Sequence, residues 1–212
     1  MVRVDCHLHT AASGDAVTTL DQLAERVAVC GLDVVCITDH NVTSAAVAAI
    51  ERGIGARVIV GEEIRTQAGD LIGLFLTERV PYVLPLAEAV GQIKAQGGVV
   101  YLPHPFDPDR SSLGQAAAAL CADGLADIVE AFNAKIADSS LNQQAADLAA
   151  SYGLPGGAGS DAHDPAGIGA AYLEMPDFDG PAGFLDSMWR AKVVGEYRPH
   201  AQRYPRPRPP AG

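Results

Sequence analysis

Residues 2–9, Val2-Arg3-Val4-Asp5-Cys6-His7-Leu8-His9, begin as an apolar, β-forming run and end in two histidines one residue apart. A strand alternates its side chains between two faces, so positions i and i+2 at a strand end point the same way and can meet one ion. The same transition recurs along the chain. Asp33–Thr38 runs into Asp39-His40, Val99–Leu102 into Pro103-His104-Pro105, and Leu154–Ala158 into Gly159-Ser160-Asp161-Ala162-His163. Five of the six histidines therefore stand where a strand passes into a loop, and a metal site shared among several strand ends accounts for that placement.

Working outward, apolar runs alternate with amphipathic segments. The strands are expected at Val2–Cys6, Asp33–Thr38, Arg57–Val60, Leu71–Leu76, Val99–Leu102, Asp127–Phe132, Leu154–Ala158 and Ala170–Met175. Between them lies a helix carrying Leu20, Leu23, Val27 and Cys30, capped by Thr18 or Thr19 and stopped by Gly31. Further helices are expected over Ser44–Arg52, from Pro85 to Gly97-Gly98, and over Ser112–Ala122, Asp138–Tyr152 and Pro181–Ala191. Such alternation predicts parallel βα units throughout, about seven of them, closed into a compact barrel whose loops converge at the C-terminal ends of the strands. The barrel is expected over residues 1–197. Residues 198–212, rich in Pro and Arg and including His200, read as a disordered tail because they carry no apolar pattern.

The chain has 212 residues, enough for one α/β domain with a full core. Its net charge of −11 argues against an extended nucleic-acid surface, which needs a basic stripe. Bound cations would neutralise part of that charge. Cys6, Cys30, Cys36 and Cys121 show no CxxC spacing and read as reduced core residues. No apolar run approaches a membrane span and no signal-peptide pattern opens the chain, so a cytoplasmic location is expected. Oligomeric state leaves no trace in the sequence.

His7 and His9, Asp161 and His163, His40, and His104 between two prolines are the candidate ligands by residue type and place. Adjacent Glu62 and Glu63 follow the third strand directly, where neighbouring carboxylates would repel without a cation. Mixed imidazole and carboxylate donors suit Mn, Fe or Zn.

Six stretches, Asp5–Thr10, Ile37–Asn41, Gly61–Ile64, Leu102–Phe106, Phe132–Lys135 and Gly159–His163, resemble in order the motifs of the PHP (polymerase and histidinol phosphatase) domain family, over Met1 to about Gly195. The resemblance implies a distorted (β/α)7 barrel with a two- or three-metal cluster at the C-terminal strand ends, and phosphoesterase activity. Carried over residue by residue, it implies metal ligation by His7, His9, Asp15, His40, Glu63, His104, Asp161 and His163, with Glu63 bridging two ions. His7, His9 and Asp161 would complete one shell, Asp70 and His104 the second, and Asp15, His40 and His163 a third. Asp70 stands where the family often has a histidine, so an oxygen ligand replaces nitrogen or the ligand is lost. The first loop reads Ala12-Ser13-Gly14-Asp15 in place of the usual Ser-Asp-Gly. There is no room for the inserted subdomain some members carry, which implies an open pocket.

Such a cluster suits phosphate-ester hydrolysis, because one ion makes hydroxide from bound water near neutral pH while others hold the phosphoryl oxygens. Glu63, Asp161 and His163 are the expected catalytic residues, and Lys135, Arg65, Asn133 and Arg110 the candidates to hold a small phosphorylated substrate. Two alternatives stand beside this reading. An amidohydrolase-like hydrolase would use a mid-chain lysine as a carbamylated bridge, whereas this chain offers Glu63. A non-catalytic metal- or phosphate-binding module would keep the ligands without turnover.

Overall fold

The computed structural model describes residues 1–199, and its elements follow the expected alternation. In chain order they are β1 (Val2–Leu8), α1 (Leu20–Cys30), β2 (Val34–Ile37), α2 (Ser44–Arg52), β3 (Arg57–Arg65), β4 (Asp70–Leu74), α3 (Leu86–Ala95), β5 (Val99–Leu102), α4 (Gln115–Ala122), β6 (Ile128–Asn133), α5 (Ser139–Ser151), β7 (Gly156–Gly159), β8 (Ala171–Met175), α6 (Gly180–Met188) and β9 (Lys192–Gly195). Thr19, not Thr18, caps α1. Its hydroxyl accepts from the Gln22 N–H at 3.3 Å while the Gln22 side chain accepts from the Thr19 N–H at 3.0 Å. Gly31 closes the helix at φ 64°, a conformation that favours glycine. His200 and the rest of the Pro/Arg-rich segment lie outside the described residues.

The strands form one sheet in the order β7-β6-β5-β4-β3-β2-β1-β8-β9, which curls into a nearly closed barrel. Closure is made just past β7. Ala162 bridges Leu8 in parallel, His9 donates its N–H to the Ala162 carbonyl at 3.0 Å, and Asp161 donates its own to the His7 carbonyl. The lower edge of β1, Val2–Val4, is taken instead by β8.

The expectation of parallel units throughout needs correction. β1-β2-β3 and β5-β6-β7 are parallel, but β4 runs antiparallel to both β3 and β5, and β8 antiparallel to both β1 and β9. Only residues 66–69 separate β3 from β4, too few for a crossover, so the pair must form a hairpin. β3 also runs on to Arg65, which places Glu62 and Glu63 within the strand and not after it. α4 starts at Gln115, later than expected. Ser112 stays in the preceding loop, where its hydroxyl donates to the carbonyls of His104 and Asp107. β9 has no counterpart in the sequence reading, because its residues are largely exposed and carry no apolar pattern.

Alternate residues fill the barrel: Val4, Cys6, Val34, Cys36, Ile59, Ile72, Leu74, Val99, Tyr101 and Ile128 share one interior cluster, into which Phe184 and Met188 of α6 also pack. The opposite faces of the strands pack the other helices, with Leu8, Val35 and Ile37 against α1 and α2, and Ile64, Leu71, Val100 and Leu102 against α3 and α4. In β1 the alternation breaks. Val4 and Cys6 lie in the interior cluster, yet Leu8 lies in the outer one, and the pairing register with β2 shifts between Asp5 and Leu8. Such an irregularity re-aims side chains, and here it turns His7 and His9 to the inside. In β3 the alternation is regular, so Ile59, Gly61 and Glu63 share the inner face while Glu62 and Ile64 face outward. Among the described residues, no helix is long and apolar enough to cross a membrane.

β7 is Gly156-Gly157-Ala158-Gly159, a poor β-former by composition. Space explains it. A Cβ at Gly157 would overlap the ring of Tyr101, and one at Gly159 would overlap the Cβ of His7 and come within 2.9 Å of Glu130 Oε1. Gly157→Ala should therefore lower stability by about 1–3 kcal/mol, the usual scale of overpacking a well-filled core. Urea denaturation checks this, and an unchanged midpoint would show that Tyr101 does not fill the space beside β7.

Candidate metal centre

Five strand ends, those of β1, β2, β3, β5 and β7, contribute to one group at the top of the barrel. His7 and His9 come from β1 and the turn after it, His40 from the loop after β2, and Glu63 from β3. His104 follows β5, and Asp161 and His163 follow β7. His40 is held beside Glu63 by an isolated parallel bridge. Backbone conformation is special at several of these points. Asn41, His104 and Asp161 have φ of 58°, 27° and 47°, a region that non-glycine residues visit only when their surroundings compel it. The Asn41 side chain braces its turn by accepting from the Arg65 N–H at 2.9 Å.

The Glu63 carboxylate is ringed by imidazoles. Oε1 lies 3.0 Å from His104 Nε2. Oε2 lies 3.1 Å from His40 Nδ1, 3.2 Å from His9 Nε2 and 3.5 Å from His7 Nε2. Asp161 Oδ1 lies 3.3 Å from His9 Nε2 and 3.6 Å from His7 Nε2. Asp15 sits at the outer end, 3.3 Å from His40 Nε2 and 3.7 Å from His163 Nε2. Among the described residues, three sets of donor atoms fall within 4.8 Å of one another: His7–His9–Glu63, His9–His40–His163 and His7–His104–Asp161. His104 thus groups with His7 and Asp161 rather than with Asp70.

The donor set fits divalent ions on its own chemistry. His7 Nε2 and His9 Nε2 face each other at 3.1 Å beside Glu63 and Asp161, close enough to serve as ligands of one cluster. Burial, then the neighbouring His163, pushes His9 down to about 4, which keeps its ring neutral and its lone pair available at pH 7. Burial alone would raise Asp161, but the charges of Arg110, Lys135 and His7 hold it well below its ordinary value. Burial would likewise raise Glu63, and the surrounding histidines, His40 foremost, hold it low instead. Both carboxylates are therefore anionic and suited to ligation.

The substrate-side residues are placed differently from one another. A cavity of about 820 Å³ opens over the group, lined by Asp15, His40, Glu63, His104 and His163 and by the cations Arg65, Arg110 and Lys135. Lys135 Nζ reaches His163 Nδ1 at 2.9 Å and Asp161 Oδ1 at 3.4 Å, while Arg110 Nη1 reaches Asp161 Oδ2 at 2.9 Å. Arg65 lies on the cavity wall with its Nε donating to Asp70 at 2.5 Å. Asp70 does face the centre, but its carboxylate is engaged by that guanidinium. Asn133 is fully buried away from the cavity, and its amide donates to Glu130 at 2.9 Å and to Asp161 Oδ2 at 3.3 Å. It braces Asp161 and does not line the cavity.

Two buried carboxylates at the centre have no place in the sequence reading. Asp39 accepts from the Thr10 N–H and hydroxyl at 2.6 and 2.7 Å, fixing the turn after His9. Glu130 accepts from His7 Nδ1 at 3.0 Å and from the His104 N–H at 2.7 Å. Glu130 sits in Ile128-Val129-Glu130-Ala131-Phe132, and a lone acid at an inward position of an apolar strand is the signal that could have revealed it.

Comparison with known proteins identifies the family and the fold. The PHP domain model matches residues 5–137 and the PHP-associated model residues 139–193, so the chain belongs to the PHP domain family. It is 34% identical over 195 residues to the uncharacterized protein MJ0417 of Methanocaldococcus jannaschii, covering 87% of this chain and 78% of that one. In fold it resembles a two-domain protein of Bacteroides vulgatus containing a predicted PHP-like metal-dependent phosphoesterase, with TM-score 0.72 and 18% identity. That match covers 92% of this chain and 65% of the other, so this chain spans less than two thirds of its length. It also resembles an amidohydrolase of Chromobacterium violaceum, with TM-score 0.65, 16% identity and 91% and 97% coverage.

Glu62 and Glu63 are adjacent in sequence but differ in surroundings. Glu62 faces outward under the loop after β4, accepting from the Val80 N–H at 2.8 Å, and burial pushes it up to about 7. Glu63→Gln should cost at least one bound ion per chain by elemental analysis, because an amide brings no charge to share among cations. Glu62→Gln should leave metal content unchanged, and equal losses from both would overturn the distinction.

Proposed function

We propose that the chain is a metal-dependent phosphoesterase that hydrolyses a small phosphorylated molecule at a cluster of two or three divalent ions, Mn, Fe or Zn. The observation that carries this reading is one buried carboxylate, Glu63, ringed by four imidazoles and facing a cavity whose wall also bears Arg65, Arg110 and Lys135. The proposed metal ligands are His7, His9, Asp15, His40, Glu63, His104, Asp161 and His163. When bound, such ions would withdraw charge from the phosphoryl oxygens and lower the pKa of a coordinated water.

The chain's own groups supply the rest. Glu63 lies between the His7–His9 pair and His104, which suits it to bridge and fix spacing. Asp161 joins the ligand side to the cation side, since one oxygen faces His7 and His9 while the other meets Arg110. His163 receives a hydrogen bond from Lys135 and lines the cavity, where it can hold or pass a proton. Arg110, Lys135 and Arg65 would neutralise the phosphate charge that the ions leave. Lys135 does not occupy the bridging place of a carbamylated lysine, because Glu63 stands there, and this favours phosphate esters over amides.

Chelation should abolish turnover of a phosphate ester, and Asp161→Ala should do the same. In ¹⁸O-water the label should enter the released phosphate, or the monoester if the substrate is a diester. Amide cleavage or deamination with every phosphate ester ignored would replace this reading with an amidohydrolase.

Burial sets a pH dependence as well. It lowers Lys135 to about 8, so the ammonium is present below that pH and lost above it. KM for an anionic substrate should therefore rise as pH passes through about 8. Lys135→Arg, whose charge persists, should flatten that limb in steady-state kinetics.

A further inference from the structure

Glu130 lies on the inner face of β6, has no exposed surface, and accepts four hydrogen bonds. Oε1 takes the His7 Nδ1–H and the Tyr101 hydroxyl, both at 3.0 Å. Oε2 takes the His104 backbone N–H at 2.7 Å and the Asn133 amide at 2.9 Å. A carboxylate offers about four lone-pair sites, so this one has none left for a metal.

Its partners select what it controls. A carboxylate at Nδ1 keeps a proton on that nitrogen, so His7 would ligate through Nε2, the nitrogen facing His9, Glu63 and Asp161. The His104 N–H is held at a residue with φ 27°, so the bond secures a conformation the backbone would otherwise leave. Asn133 extends the reach, since the same amide nitrogen lies 3.3 Å from Asp161 Oδ2. His7, His104 and Asp161 are together one of the three donor sets. His7 belongs to the His7–His9–Glu63 set as well, so Glu130 reaches both sets that contain His7, whereas the set of His9, His40 and His163 takes its orientation elsewhere. His9 Nδ1 meets the Ser13 hydroxyl at 2.9 Å, and His163 Nδ1 meets Lys135.

We propose that Glu130 is the positioning residue of the two donor sets that share His7, namely His7–His104–Asp161 and His7–His9–Glu63, and that the position of His9, His40 and His163 does not depend on it. The inference rests on the reading of these residues as metal ligands and is independent of which bond is hydrolysed. The steric demands on β7 fit it, because glycine at 157 and 159 leaves room for Tyr101 and for the His7–Glu130 contact.

The test is isothermal titration of the full chain with Mn²⁺ and with Zn²⁺, paired with metal analysis, for the wild type and Glu130→Gln. A carboxamide has one acceptor oxygen for four donors, so it cannot reproduce the arrangement. Loss of a partner of this kind typically weakens a metal about 10–100-fold. The expected result is weakening by that factor at the positions that share His7, with one affinity kept within about threefold of wild type and an unchanged far-ultraviolet spectrum. Equal weakening of every ion, or no weakening, overturns the proposal. Should the variant not fold, long-range ¹⁵N–¹H spectra of histidine-labelled, Zn-loaded wild type decide the matter. A His7 proton on Nδ1, protected from exchange, supports the proposal, and a proton on Nε2 refutes it. If these metal readouts come out as expected while no phosphate ester turns over, the phosphoesterase reading fails and this one stands.

Discussion

A buried anion among imidazoles is the interaction on which the upper half of this barrel depends. Glu63 and Asp161 are withdrawn from water, and a carboxylate in that position costs several kcal/mol unless charge or hydrogen bonds compensate it. The chain brings Arg110 and Lys135 to Asp161, while the side chains that touch Glu63 are histidines, with Arg110 and Lys135 acting on its charge from further off. Neutral imidazole is a weak partner for an anion and a strong one for a transition metal. The site is thus balanced for cations from outside the chain, and the surrounding backbone accepts positive φ at Asn41, His104 and Asp161 to keep the donors convergent.

Much of this was legible in the sequence, for physical reasons. Apolar runs that end in His40, His104 or Asp161 show a strand giving way to a loop, and several such ends meet only if the sheet curls. What stayed hidden depends on pairing rather than pattern. An antiparallel β4 reads the same as a parallel one, since both are buried apolar runs. The register shift in β1 leaves no mark beyond ordinary residues at Asp5, Cys6 and Leu8, yet it decides that the histidines point inward. Asp70 could be read only as a carboxylate near a metal. That Arg65 claims it depends on a hairpin that places their side chains together. Glu130 and Asp39 bond to backbone and ring nitrogens that only the closed barrel brings near.

The rim divides by charge in a way that composition alone conceals. The chain carries a net charge of −11, yet the cavity over the metal centre presents Arg65, Arg110 and Lys135. Each is tied to a carboxylate, Arg65 to Asp70 and the other two to Asp161, so their side chains are ordered beforehand. Preordered cations lose less entropy on meeting an anion than free surface lysines would.

The seam between β7 and β1 has a kinetic consequence. It joins Leu8 to Ala162, the two ends of the ring, so the strands that complete the barrel are separated by most of the chain. Contacts of such high sequence separation form late, because loop entropy is lost before they are rewarded. His7 and Asp161 lie on opposite sides of that seam, held together by the Asp161 N–H to His7 carbonyl bond. The donor set proposed to hold an ion there, which contains both, is complete only once the seam has closed. Uptake of metal at that position would therefore clock the final step of folding, and a cation captured there would act as a rivet across the join.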